Sequence, residues 1–247
     1  MELFFVFIET LLFIFYTYIY RKEGLYERFI QGGLIVSCQA LPEEPLHSSF
    51  IMGRMALAAK QGGAIGIRAQ GVDDILEIQK TVDLPIIGIV KRYYEDSDIY
   101  ITPTKKEIDE LLKTNCFMIA LDATNRPRPN GEKLEDLLSY IHQHHRLAMA
   151  DCSTYEEIMY AEKIGFDFVS TTLCGYTPYS INVDGPNIEL IKKCVATLKT
   201  PLIAEGKIHY PYQLKEVLDA GAYCAVVGGA ITRPQEITQR FVKELSK

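Results

Sequence analysis

Two residues at the ends of apolar runs could carry acid–base chemistry. Lys91 directly follows "IIGIV" and Glu205 directly follows "PLIA". A buried lysine is rare unless it is paired. Partial desolvation disfavours the ammonium form and moves its pKa toward neutrality. Such an amine can act as a base or as a Schiff-base nucleophile. A carboxylic acid opposite it suits proton transfer at a carbon next to a carbonyl. Other apolar runs end in the same way, at Gln39, Arg68, Asp122, Asp151, Thr171-Thr172 and Gly228-Gly229. With Lys91 and Glu205 these make two cations and three carboxylates on strand ends.

A second group of residues suits an anion. "AEGKI" carries Gly206, and "VVGGAITRP" carries Gly228, Gly229 and Arg233. Glycines let backbone N–H groups approach a phosphate, and a helix start just beyond favours negative charge. Arg233 adds a forked donor suited to phosphate.

Elements that bring such residues together must end on one side of one sheet. Short apolar runs occur at 34–38, 64–67, 86–90, 117–121, 147–150, 168–170, 202–204 and 225–227. Amphipathic stretches of helical length separate them, among them "TKKEIDELLKT", "STYEEIMYAEKIG" and "YQLKEVLDAGA". Ser153-Thr154 is a helix-start signal, and Gly62, Gly165 and Gly221 are stop signals. Strict alternation predicts parallel βαβ units, and eight of them predict a closed α/β barrel, a single (β/α)8 TIM barrel of the phosphate-binding type. An open doubly wound sheet is disfavoured because no glycine-rich first turn is present. In a barrel of this kind chemistry sits at the C-terminal strand ends, where the polar residues above fall.

The chain has 247 residues, 48% hydrophobic and 23% charged, with a net charge of −6. This balance provides no general basic face for nucleic acid or anionic membrane, so the expected partner is a small molecule. The six cysteines (38, 116, 152, 174, 194 and 224) contain no C-x-x-C pair and read as reduced, mostly buried thiols. "IHQHHR" reads as a solvated helix end rather than a metal site. Residues 1–24 form an apolar leader, "MELFFVFIETLLFIFYTYIY" followed by "RKEG", with residues 25–247 assigned to the barrel. The leader lacks a basic n-region and a cleavage site, and it is about long enough to span a bilayer. We expect it to be an upstream extension, with the mature protein starting near Leu25 as a soluble cytoplasmic enzyme. If translated, the leader would tether a barrel facing the cytoplasm, because Arg21 and Lys22 follow it.

The ordered motifs "LIVSCQALPEEPLHSSFIMGRMALAAKQGGAIGIRAQG", "PIIGIVKR", "YITPT", "IALDAT", "STTLCGYTPYS", "IAEGKI" and "VVGGAITRP" resemble the N-acylglucosamine-6-phosphate 2-epimerase family over about residues 32–247. The resemblance implies a cofactor-free isomerase acting on a phosphorylated amino sugar in sialic-acid and amino-sugar catabolism. It would interconvert N-acetylmannosamine 6-phosphate and N-acetylglucosamine 6-phosphate, and a homo-oligomer is possible. The resemblance also implies that Lys91 and Glu205 are the catalytic pair and that Gln39, Arg68, Asp151 and Arg233 are substrate contacts. Two other functions fit the residues less well. One is an aldolase with Lys91 as its Schiff-base lysine, and the other is a non-catalytic, membrane-tethered sugar-phosphate sensor.

Overall fold

Alternation along each strand decides which side chains fill the barrel and which meet the helices. The computed structural model describes residues 30–245. The first four strands are β1 (Leu34–Cys38), β2 (Gly66–Gln70), β3 (Ile86–Ile89) and β4 (Met118–Asp122). The next four are β5 (Leu147–Asp151), β6 (Phe168–Ser170), β7 (Leu202–Glu205) and β8 (Cys224–Val227). They are parallel and close in sequence order, with β8 pairing back to β1 through Val36 and Val227. This is the (β/α)8 barrel that the alternating pattern predicts.

A helix follows each strand. These are α1 (Ser49–Gln61), α2 (Val72–Thr81), α3 (Lys105–Leu111), α4 (Leu134–Gln143), α5 (Tyr155–Ile164), α6 (Ile188–Val195), α7 (Pro211–Asp219) and α8 (Pro234–Glu244). Among the described residues, no helix is long and apolar enough to cross a membrane. The apolar leader of residues 1–24 lies outside the described residues.

The two hydrophobic clusters follow the period of two. Ile35, Ile87, Ile89, Met118, Met149, Phe168, Ile203 and Val226 fill the barrel interior. Their neighbours Val36, Ile86, Ile119, Ala148, Val169, Leu202 and Ala225 belong to the layer between strands and helices. The same inward parity carries Arg68, Asp151, Ser170 and Glu205 to the mouth of the barrel. Register aligns them, with Ser37 opposite Arg68 and Asp151 opposite Ser170.

The strand expected at 64–67 is displaced. β2 runs from Gly66 to Gln70, so Arg68 is a mid-strand residue, not a terminal one. Hydropathy ends the strand at the first charge. In the fold that charge points inward, where carboxylates from across the barrel hold it.

Helix capping follows the sequence signals and also anchors the loops at the mouth. Thr154 caps α5 in a capping box with Glu157, and Thr104 caps α3 in one with Glu107. Both glutamates are fully buried. Each also accepts a tyrosine hydroxyl from a βα loop, Tyr94 to Glu107 at 2.9 Å and Tyr179 to Glu157 at 2.6 Å. Gly165 ends α5 in the left-handed region at φ 100. At the end of α1 the left-handed residue is Gly63, because Gly62 itself is right-handed. All six cysteines are buried and none is bonded to another. His142 of "IHQHHR" joins Asp167 at 2.8 Å, which ties α4 to the start of β6.

Candidate active site

The C-terminal mouth opens into a cleft of about 340 Å³, lined by residues from β1, β2, β3, β6, β7 and β8 or the loops that follow them. Arg68 is its hub. The side chain is 1% exposed, yet its tip reaches the cleft wall. Nη1 donates to Asp151 Oδ1 at 3.0 Å and to Glu205 Oε2 at 2.7 Å, while Nη2 donates to Asp151 Oδ2 at 2.5 Å. The Asp151–Arg68 pair is a two-point fork, the geometry in which arginine binds a carboxylate most specifically. Thr172 Oγ1 lies 2.8 Å from Asp151 Oδ1 and 3.2 Å from Glu205 Oε2. Ser170 donates its hydroxyl to Asp151 Oδ1 at 3.1 Å.

Asp151 is completely buried and lies behind Arg68, off the cleft wall. Glu205 stands in front, with its side chain 14% exposed. Burial pushes the Glu205 carboxyl up to about 7, against the Arg68 guanidinium beside it and with help from the Asp151 charge. Such a group is partly protonated at neutral pH and can both give and take a proton.

Lys91 lies just past β3, in a short antiparallel bridge with Ile101. Arg92 N–H donates to Tyr100 O at 3.0 Å and Thr102 N–H to Val90 O at 2.8 Å, so the backbone here is fixed on both sides. Extended backbone turns successive side chains to opposite faces. Lys91 therefore lines the cleft while Arg92 faces α3, where it pairs with Glu107 and, at 3.0 Å, with Glu110. Among the described residues Lys91 has no salt-bridge partner. Burial lowers its ammonium pKa to about 8, assisted by the Arg233 and Arg68 charges and opposed by Glu205 and Glu44. The apolar strand that ends in a lysine thus delivers a desolvated amine among cations.

The third part of the cleft is the glycine corner. Gly206 has φ +104, a backbone conformation that side chains rarely adopt. Gly228 and Gly229 follow β8, and Arg233 immediately precedes α8, which has Pro234 as its first residue. A Cβ on Gly229 would collide with the Glu236 carboxylate. Gln39 reaches the cleft from β1, is 7% exposed, and donates to Ser37 Oγ at 2.9 Å.

Of the sequence-derived site residues, Lys91, Glu205, Gln39, Arg68, Arg233, Gly206, Gly228 and Gly229 converge on this one cleft. The family profile described as "Putative N-acetylmannosamine-6-phosphate epimerase" matches residues 52–247. The chain belongs to this family. A Clostridium perfringens protein named "Putative N-acetylmannosamine-6-phosphate 2-epimerase" is 67% identical over 212 residues, covering 86% of this chain and 96% of the relative. A relative of the same name from Clostridioides difficile is 61% identical over 216 residues, covering 87% and 97%. A solved structure of the N-acetylmannosamine-6-phosphate 2-epimerase from Clostridium perfringens superposes with a TM-score of 0.88. It shares 64% identity and covers 89% of this chain and 96% of its own.

Asp122, also at a strand end, does not join the cleft. It turns to Arg126 at 2.6 Å and to Thr124 at 2.7 Å. Residues without a sequence signal line the cleft instead, among them Ser37, Tyr100, Tyr176, Lys207 and Glu236. Lys207 donates to Asn182 Oδ1 and, at 3.1 Å, to Val183 O, strapping the β6–α6 loop to β7. Its left-handed φ of 57, directly after Gly206, makes this reach possible. Only the quoted "AEGK" hints at it.

Proposed function

We propose that this protein epimerises C2 of N-acetylmannosamine 6-phosphate, giving N-acetylglucosamine 6-phosphate, by deprotonation and reprotonation. The observation that carries the reading is that Lys91 and Glu205 line one small cleft together with Arg68 and the glycine corner, where burial lowers the lysine pKa to about 8 and raises that of the glutamate to about 7. With the sugar ring open, C2 lies beside the C1 aldehyde and its proton is acidic enough for a neutral amine to remove. Lys91 is that base. Arg68, held by Asp151, is positioned to stabilise negative charge developing on the enolate oxygen. Glu205 exchanges protons with the sugar oxygens, which ring opening and enolate formation both require. Protonated Glu205 then gives a proton to the opposite face of C2, which inverts the centre. Lys91 keeps the proton it took until exchange with solvent resets both groups, and no redox change occurs.

Gly206, Gly228, Gly229 and Arg233 form the phosphate end, and Gln39 holds the sugar from the β1 side. Asp151 acts from behind Arg68 by fixing its direction. The reaction belongs to amino-sugar and sialic-acid catabolism, and it needs no cofactor. The decisive experiment is turnover of N-acetylmannosamine 6-phosphate in D₂O, followed by NMR. Epimer carrying deuterium at C2 is the expected result. Absence of the epimer, or its formation with unlabelled C2 under full turnover, would overturn the reading.

A further inference from the structure

We propose that Glu44 is a positioning residue for substrate binding, holding Arg233 in the orientation that receives the phosphate group. This rests on the reading of Arg233 as a phosphate contact. Glu44 lies in "LPEEP", the loop between β1 and α1. A turn fixes its own backbone, with Glu44 N–H donating to Leu41 O at 2.9 Å and His47 N–H to Glu44 O at 3.0 Å. Its carboxylate is fixed as well, because Oε2 accepts Leu41 N–H at 2.8 Å. The anion is therefore held in place independently of the arginine.

Against this fixed carboxylate, Arg233 makes a side-on approach. Nε lies 2.7 Å from Oε1, an ion-pair contact not aligned as a hydrogen bond, and Nη2 donates to Oε2 at 3.5 Å, the outer limit of such a bond. Such contact occupies one edge of the guanidinium and leaves the Nη1 donors for another anion. Arg233 lines the catalytic cleft and Glu44 does not. Glu44 instead borders a smaller cavity of about 140 Å³ behind the arginine, beside Ala40, Pro45 and Leu46. A ligand in the catalytic cleft meets Arg233 and not Glu44, so Glu44 acts through the arginine. Glu236 is different in kind. It is more exposed, sits 3.5 Å from Arg233 Nε, and presses on Gly229 inside the cleft, where it would repel a phosphate.

Losing the clamp removes pre-organisation, which costs binding more than chemistry. The test compares wild type, Glu44→Gln, Arg233→Ala and the double variant with N-acetylmannosamine 6-phosphate as substrate. Glu44→Gln is expected to raise KM by about tenfold, the scale of one charge-assisted contact, while kcat stays within about twofold. The double variant is expected to be no worse than Arg233→Ala alone, since the clamp then has nothing to hold. Should Glu44→Gln misfold, Glu44→Asp, which keeps the charge but shortens the reach, is expected to raise KM by a smaller factor. Unchanged KM in the folded variant, or penalties that multiply in the double variant, would overturn the proposal. Calorimetric titration of the same proteins with inorganic phosphate separates the two ideas. Wild-type protein without turnover overturns the epimerase reading alone, whereas phosphate affinity insensitive to Glu44 overturns this one.

Discussion

The pH dependence of kcat/KM offers the sharpest test of Lys91 as the base. An ordinary lysine with a pKa of 10.5 is neutral in only about one molecule in 3,000 at pH 7. With the pKa lowered to about 8, about one molecule in ten carries the neutral amine. The fold therefore increases the competent population about 300-fold, chiefly through burial and then through the neighbouring Arg233 and Arg68 charges. The sign follows from the base being the neutral form. Protonation abolishes it, so kcat/KM should climb steeply on the acid side, while loss of the Glu205 proton, with its pKa of about 7, should pull it down again above about pH 8. The assay is the initial rate of epimerisation at substrate concentrations well below KM, from about pH 6 to about pH 10, because kcat/KM reports the free enzyme. A profile flat between about pH 6 and 8, or one still rising past about pH 10, would refute the reasoning. Glu44→Gln removes a carboxylate charge that holds the Lys91 pKa up and should move the break set by Lys91 to lower pH.

Lys91→Ala and Lys91→Arg should each fold normally and lose kcat by roughly 10²-fold or more, the arginine because guanidinium keeps its proton; near-normal kcat in either would remove Lys91 from the mechanism. Arg233→Ala should raise KM strongly, and unphosphorylated N-acetylmannosamine should be a poor substrate, so equal turnover of the two sugars would exclude a phosphate site here. Arg68→Met leaves the buried Asp151 and the largely buried Glu205 without their cation, and unfolding by urea should report a loss of about 3–5 kcal/mol. A loss below about 1 kcal/mol would mean that both carboxylates take up protons at little cost. Gly229→Ala drives a methyl group into the Glu236 carboxylate and should raise KM with little change in thermal stability, because that side chain lies at the open mouth; an unchanged KM would remove Gly229 from the phosphate end.

Much of the fold was legible because its causes are local. The short apolar run "LAMA" and the helical spacing in "STYEEIMYAEKIG" act over a few residues, so the strand and helix of that unit need no distant information. Capping is equally local: Ser153-Thr154 marks the helix start, and there Thr154 closes a capping box with Glu157. The candidate site was legible to the extent that a (β/α)8 barrel gathers its strand ends, which drew Lys91, Glu205 and Gly228-Gly229 to one mouth.

Other features depend on contacts between residues far apart in the chain. Arg68 and Asp151 are 83 residues apart, and only their meeting lets β2 continue past a charge and keeps Asp151 off the cleft wall. The reversed roles of Lys91 and Arg92, one in the cleft and the other locked to α3, depend on the bridge to Ile101. Glu44 carries no local signal at all, because its meaning comes from an arginine 189 residues away. By itself the sequence determined the alternation of elements and which residue types stand at the strand ends, since both arise from backbone period and hydropathy. Tertiary structure alone decided which charges face each other, how deeply each is buried, and hence which proton moves near neutral pH, because burial and Coulomb interactions depend on distance through space and not along the chain.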